Sequence, residues 1–321
     1  TTHPLSSAAS DVYKRQGLSD PALQPKFANA VPNALDPGFI YDTSKGRIKV
    51  AVGQTVQMTG LVAADGVTPV PTTVWGYGDD KFYTWPGRTF QVRSYEPLEV
   101  KWENRLGGLP YLITGKDNSS LLGGDPAYDF TGRSVVDTNL HWAYSLHGYE
   151  GYSIEKDGVP IVPHVHGGHT DFQYDGNPEF FFSPGYTIRG PQWVDKKYLY
   201  DNSQPAGTVW YHDHALGITR LNVYAGMAGF YIIRDDDDTG LLGNPLDLPA
   251  FPYEAAFAIQ DKMFKDNGEL FYPAFPGDPF YDDFIIGEGA VLPPDIFPGG
   301  GPTGLAEFFG DHMVVNGKIW P

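Results

Sequence analysis

The feature that most restricts the fold of this chain is a series of short runs of β-branched and aromatic residues, each bounded by turn residues. Runs of this kind cover residues 47–58 (RIKVAVGQTVQM), 72–78 (TTVWGYG), 98–106 (LEVKWENRL) and 207–214 (GTVWYHDH). The 39 glycines and 28 prolines would interrupt long helices, and residues 215–229 have the apolar spacing of one short helix. The sequence therefore predicts an all-β fold, an antiparallel Greek-key barrel or sandwich.

The domain organisation follows from the length of the chain and from one charged run. A chain of 321 residues can form about two domains. Residues 235–245 (DDDDTGLLGNP) join an acidic run to Gly and Pro, which is typical of a solvated linker rather than of an acidic metal site. We predict a first domain over residues 17–236. Residues 237–321 are predicted to be a linker and the start of a truncated second domain.

Residues 1–16 are predicted not to be native. They contain no apolar segment of the kind found in signal peptides, and they show no periodicity. The stretch DVYKRQ within them resembles the translation of a sequencing adapter. A disordered native N-terminus is the alternative interpretation.

Charge and composition argue against several partners and sites. The chain has 22 basic and 39 acidic residues, and its net charge of −17 at pH 7 would repel nucleic acid and anionic membranes. No run of about 20 apolar residues is present, so we predict no membrane-spanning helix. The absence of cysteine excludes disulfides and thiol chemistry within this sequence.

Two pairs of histidines have the spacing of metal ligands. His164 and His166 lie in PHVHGG, and His212 and His214 lie in WYHDHA. Alternate residues of a strand point to the same face, about 6–7 Å apart, so each pair can present two imidazoles to one space. Four imidazoles without a thiolate suit copper, zinc, iron or nickel. The two pairs together predict a metal site.

Asp175, Asp213 and the remaining histidines lie outside the His-x-His pattern as candidate ligands. Asp175, in YDGNPE, can accept a hydrogen bond behind a metal ligand or move protons, or it can be an ordinary turn residue before Gly. Asp213 is expected to point to the face opposite the histidines and not to bind a metal. His141 and His147 are predicted to be structural or to line the site, and His312 to be structural. His169 lies one Gly-rich turn beyond the first pair and could reach a metal, but we predict a place in a loop or behind the metal ligands.

Several longer motifs resemble the multicopper oxidases, in particular the bacterial branch of bilirubin oxidases and spore-coat laccases. These motifs are HVHGG, DGNPE, WYHDHALGITRLNVYAGMAGFYIIRD, LFYP and VVNGKIWP, and the resemblance spans Leu23 to Pro321. It implies cupredoxin-like β-barrel domains, of which the family has three. It also implies a type 1 copper that receives electrons and a cluster of one type 2 and two type 3 coppers that reduces O2.

By motif position, the resemblance implies a role for each candidate residue. His164 would bind the type 2 copper, and His166, His212 and His214 would bind the type 3 pair. Asp175 would supply protons. The family's other ligand stretches, HPxHLH and HCHxxxH, do not occur in this sequence, and an intact type 1 site would need a cysteine. We therefore expect one complete cupredoxin-like domain and a truncated second one, with the remaining ligands in missing C-terminal domains of the same polypeptide.

The expected function is that of the intact parent enzyme. It would couple one-electron oxidation of a phenol, a tetrapyrrole or a metal ion to four-electron reduction of O2 to water. The present chain alone is expected to bind copper weakly, without turnover and without an intense blue colour. The resemblance implies secretion, a periplasmic location or a place on the spore or cell surface, although no signal peptide is visible.

Two other functions fit part of the sequence. A cupin-type dioxygenase or isomerase also carries His-x-His on a β-barrel, but cupins add a Glu three or four residues after the pair, where this sequence has Thr170 and Asp171. A non-catalytic copper-binding protein built from the first domain would share the four histidines. Continuation of the reading frame after Pro321 distinguishes this second alternative from the oxidase.

Overall fold

The computed structural model of the chain describes residues 18–79, 82–109, 111–113, 142–143, 146–272 and 309–321. The predictions on residues 1–16 and on His141 lie outside the described residues. No helix in the described segments is long and apolar enough to cross a membrane.

Strands dominate the described part of the chain. In chain order they are β1 Arg47–Gln57, β2 Thr72–Gly78, β3 Tyr83–Thr84, β4 Gly87–Arg93, β5 Leu98–Asn104, β6 Pro163–His166, β7 Lys197–Tyr200, β8 Gly207–Asp213, β9 Ala228–Arg234, β10 Ile259–Phe264, β11 Leu270–Phe271, β12 His312–Val315 and β13 Lys318–Ile319. The helices are α1 Ile154–Asp157 and α2 Thr219–Tyr224, with 3-10 turns at Pro37–Phe39 and Pro184–Tyr186. The predicted short helix within residues 215–229 is confirmed as α2.

The strands form three sheets. The first has the order β3-β2-β1-β5-β7, the second β4-β9-β8-β6 and the third β11-β10-β12-β13. β1 pairs with β5, and β4 with β9, in parallel, whereas the neighbouring pairs β1–β2 and β8–β9 are antiparallel. Strands distant in sequence are thus neighbours in each of the first two sheets. The prediction of an all-β fold is confirmed, but the prediction that its strands are antiparallel is wrong for β1–β5 and β4–β9.

Aromatic side chains pack the first sheet against the second. In β5, Leu98, Val100 and Trp102 are buried while the residues between them are half-buried, the two-residue alternation of a strand with one core face. The ring centroids of Phe90 in β4 and Trp102 in β5 lie 6.1 Å apart at an edge-to-face angle. Because β4 and β5 belong to different sheets, such contacts hold the two sheets face to face.

Two glycines make room for Tyr211, the residue before His212. A Cβ atom on Gly229 would lie 2.5 Å from the Tyr211 ring, and one on Gly87 would lie 2.3 Å from its hydroxyl oxygen. That hydroxyl donates a hydrogen bond to the backbone carbonyl of Arg88 at 2.7 Å. The close approach fixes the position of β8 just before the second histidine pair.

Gly229→Ala is therefore expected to lower the free energy of unfolding by about 2 kcal/mol, because the added methyl group overpacks a filled core. Gly207→Ala is the matched control in β8, since a Cβ there meets no atom within 4 Å. Urea unfolding followed by fluorescence measures both changes. Equal stability of the two variants would contradict the packing described here.

The third sheet contacts the second through helix α2. The Tyr224 hydroxyl accepts a hydrogen bond from the amide of Met263 at 2.8 Å and donates one to the carbonyl of Phe271 at 2.6 Å. The Lys262 ammonium group donates to the Tyr224 carbonyl at 2.7 Å. Lys262 is a buried lysine, and its Nζ lies 4.0 Å from the centroid of the Tyr224 ring.

Burial lowers the pKa of Lys262 to about 7, although the charge of Asp261 opposes the shift. Above pH 7 the unfolded chain keeps a proton on this lysine that the folded chain has released. The free energy of unfolding should therefore rise with pH between 7 and 9.5 relative to that of Lys262→Met, by at most about 1.4 kcal/mol per pH unit. Urea titrations across this range provide the measurement, and parallel curves for the two proteins would contradict the pKa shift.

Candidate metal centre

The two histidine pairs lie on neighbouring antiparallel strands, β6 and β8. In their register His164 stands opposite His212, and His166 stands opposite Trp210. Because alternate side chains of a strand share a face, these four side chains lie on one face of the strand pair. His214 follows directly after the end of β8. The sequence spacing predicted two pairs, and the strand register is what brings the pairs together.

His164 is the common neighbour of the other three imidazoles. The centroid of its ring lies 5.5 Å from that of His166, 5.3 Å from that of His212 and 5.2 Å from that of His214. One ring nitrogen from each of His164, His166 and His212 falls within a group no wider than 4.8 Å. The Nδ1 atom of His166 is 3.2 Å from the Nε2 atom of His212. The structure thus gathers all four histidines predicted to be ligands.

Burial keeps part of this cluster in the neutral form. Together with the neighbouring imidazoles, it lowers the pKa of His164 to about 3 and that of His212 to about 4. Neutral imidazole is the form that binds metal ions. The Nδ1 atom of His214 is buried and has no hydrogen-bond partner among the described residues. Buried polar atoms are normally satisfied, so this nitrogen is a candidate for an ion.

Trp210 covers one side of the cluster. Its indole stacks on His212 at a centroid distance of 4.1 Å and on His166 at 5.2 Å. The Nδ1 atom of His212 lies 2.6 Å from the backbone carbonyl oxygen of Asp213, which leaves Nε2 of the same ring toward the cluster. Sequence reasoning missed Trp210. Its position two residues before His212 in a strand was the available signal, because it places both side chains on one face.

Asp175 lies beside the cluster in a turn. One carboxylate oxygen is 3.6 Å from Nδ1 of His164, and the side chain is 46% exposed. Partial burial raises the pKa of Asp175, while the charges of His214 and His166 oppose the shift. The next residue, Gly176, has φ of 78°, and a Cβ there would lie 2.5 Å from the Cβ of His164. Asp175 is therefore both a turn residue and a neighbour of His164. Its role in proton supply stays a prediction.

The remaining described histidines lie in other environments. The exposed His169 places its Nδ1 atom 3.1 Å from the carbonyl oxygen of Ser203, within a loop contact. His147 is exposed. His312 is fully buried, and its Nε2 atom lies 3.1 Å from the hydroxyl of Ser19. These contacts favour the loop position predicted for His169 and the structural role predicted for His312.

The chain is similar to known proteins. A multicopper oxidase family model matches residues 158–238, which include both histidine pairs. The laccase of Bacillus subtilis (strain 168) is 34% identical over 251 residues, which cover 78% of this chain and 38% of that protein. The multicopper oxidase LPR1 of Arabidopsis thaliana is 34% identical over 252 residues, covering 78% of this chain and 34% of that protein.

A structural comparison agrees with these relatives in fold. The crystal structure of the McoA multicopper oxidase from the hyperthermophile Aquifex aeolicus matches with a TM-score of 0.51 and 17% identity, over 92% of this chain and 43% of that one. At this identity the likeness concerns the fold alone, and it confirms the cupredoxin-like class. The chain spans 38% of the length of the Bacillus subtilis laccase. The matched histidine pairs, the relatives and the fold agree that the chain belongs to the multicopper oxidase family.

Proposed function

We propose that His164, His166, His212 and His214 hold copper, and that the protein containing this chain is an oxidase. The observation that carries the proposal is the convergence of four imidazoles beside the β6–β8 pair, with His164 next to the other three. Imidazole is a ligand that suits copper. The buried Nδ1 atom of His214, which lacks a partner in the described segments, fits a bound cation. The donor set therefore fits copper.

The proposal extends to the type of copper that each residue holds. His166, His212 and His214 would hold the type 3 pair, and His164 would hold the type 2 copper. The 3.2 Å separation between ring nitrogens of His166 and His212 supports ligation of the same ion by these two residues. His164 lies toward Asp175, whose carboxylate is its neighbour at 3.6 Å. The motif positions of the four histidines support the same division.

The chemistry would combine electron transfer with proton supply. When bound, copper cycling between its two common oxidation states would supply electrons one at a time for the reduction of O2 to water, and a phenol, tetrapyrrole or metal ion would replace them. Asp175 would hold a proton, and its half-exposed carboxylate, which contacts solvent and lies near His164, supports this role. Trp210 shields one side of the imidazoles from water.

The other copper ligands would lie in polypeptide outside the 321 residues of this chain. Four imidazoles are half of the eight that hold such a cluster in the family, and the relatives are much longer than this chain. Residues 17–236 would form the first domain, and residues 237–321 would lead into a second. We also propose a location outside the cytoplasm, which rests on the family resemblance.

Sequencing the source DNA through the codons after Pro321 tests the oxidase proposal. The expected result is an open frame that encodes the HPxHLH and HCHxxxH stretches, which would supply the remaining cluster ligands and a cysteine for a type 1 copper. A stop codon directly after Pro321 would leave copper ligands with no route for substrate electrons. That result would contradict the oxidase and favour a non-catalytic copper-binding protein.

A further inference from the structure

We infer that Asp213 and Asn222 form a positioning pair that fixes the two His-x-His segments relative to each other. This inference rests on the proposed function, in which these segments hold copper. Asp213 lies between His212 and His214 but faces away from them, as strand alternation predicts. Its side chain is fully buried. A carboxylate in such a place needs a full set of hydrogen-bond donors.

Asp213 accepts hydrogen bonds from three segments of the chain. One oxygen accepts the backbone amide of Val162 at 2.8 Å. The other accepts the backbone amide of Ala215 at 3.1 Å and the side-chain amide of Asn222 at 2.8 Å. The three segments precede the first histidine pair, follow the second pair and belong to helix α2. A single carboxylate thus joins the parts of the chain that bracket both pairs.

The backbone of Val162 is bonded twice to the segment that carries the second pair. Its amide donates to Asp213, and its carbonyl accepts the amide of His214 at 2.8 Å. Val162 directly precedes β6. These two bonds therefore fix the start of β6, and with it His164, relative to His214. A change of a few tenths of an ångström there would move the imidazoles out of the geometry that a metal requires.

Asn222 is itself held in one orientation. Its side-chain oxygen accepts the hydroxyl of Tyr111 at 2.6 Å, which leaves its NH2 group to donate to Asp213. Asn222 is fully buried in α2, and the same helix is fixed to the third sheet by Tyr224. The pair therefore connects the histidine segments to a helix that the nearby Tyr224 anchors to the third sheet.

Asp213→Asn tests the pair. Three donors would then face a side chain whose nitrogen cannot accept, so the Cu2+ affinity of the chain should fall about tenfold, as for other residues that support metal ligands. In the double variant Asp213→Asn with Asn222→Asp, the new amide can donate to the new carboxylate, so part of the affinity should return. Asn222→Ala removes one donor of three and is the milder test if Asp213→Asn does not fold.

Asn244→Asp is the matched control. Asn244 is also buried, and it bonds to Leu241 and Leu248 within its own turn rather than to the histidine segments. Cu2+ affinity is measured by competition with a chelator, at a temperature where circular dichroism shows each variant folded. Unchanged affinity in Asp213→Asn, or an equal loss in Asn244→Asp, would overturn the positioning role.

A second readout separates this inference from the proposed function. In the metal-free chain, the histidine ring 15N signals should shift in Asp213→Asn and stay in place in Asn244→Asp. If the unaltered chain binds no Cu2+, the copper proposal fails by itself, and these ring signals decide the positioning role. Unshifted signals in Asp213→Asn would overturn it.

Discussion

His212→Ala is expected to weaken Cu2+ binding to this chain by about a hundredfold or more, because even residues that only support ligands cost about ten- to a hundredfold when changed. The His212 ring lies beside all three other imidazoles, with centroid distances of 5.3 Å to His164, 5.4 Å to His166 and 5.7 Å to His214. Its loss removes one donor and the partner on which Trp210 stacks. Isothermal titration with Cu2+ measures the change.

His169→Gln is the matched control for this loss. His169 follows the same Gly-rich turn, but it is exposed and its ring contacts Ser203. We expect its replacement to change the Cu2+ affinity less than about twofold, since no ligand or supporting contact is lost. A similar loss in both variants would show that Cu2+ binds to scattered surface histidines instead of the cluster.

Arg234→Met is expected to lower the free energy of unfolding by about 3 kcal/mol, because removing one partner of a buried ion pair leaves its charges uncompensated. Arg234 is buried at the end of β9, and its guanidinium donates to Asp238 at 3.0 Å and to Glu254 at 2.7 Å. These bonds hold the segment after the strand against the second sheet. Urea unfolding followed by fluorescence measures the loss.

Arg93→Met provides the control, because Arg93 pairs with another residue of the same acidic run. Arg93 pairs with Asp236, and the two side chains are 43% and 96% exposed. Exposed ion pairs contribute about 0–1 kcal/mol, so we expect a small effect. If Arg93→Met destabilised the chain as much as Arg234→Met, the acidic run would be held by its surface charges and not by the buried arginine.

The acidic run shows where sequence reasoning was incomplete. Residues 235–238 have the composition of a solvated linker, and Asp236 is indeed exposed. Asp238 instead pairs with Arg234, and Asp235 accepts the backbone amides of Asp237 and Asp238. The four-residue spacing of Arg234 and Asp238 could be read from the sequence. The ion pair with Glu254 could not, because it depends on how a later segment folds back onto Arg234.

Local patterns predicted the strands better than their pairing. β5 and β8 were readable from alternation and β-branched residues, whereas β7 has only four residues and was missed. The ligand residues were predictable because His-x-His in a strand places both rings on one face. That the two pairs converge depends on the antiparallel register of His164 with His212, which no local pattern contains. The support that Asp213 receives from Val162 spans 51 residues and was equally hidden.

The most direct test of the central claim is pulsed electron paramagnetic resonance of the Cu2+-loaded chain with 15N-labelled histidine. We expect nitrogen couplings from coordinated imidazoles that change on labelling and that weaken in His212→Ala. Copper signals without imidazole coupling, or with couplings that His212→Ala leaves unchanged, would contradict a copper site built from His164, His166, His212 and His214.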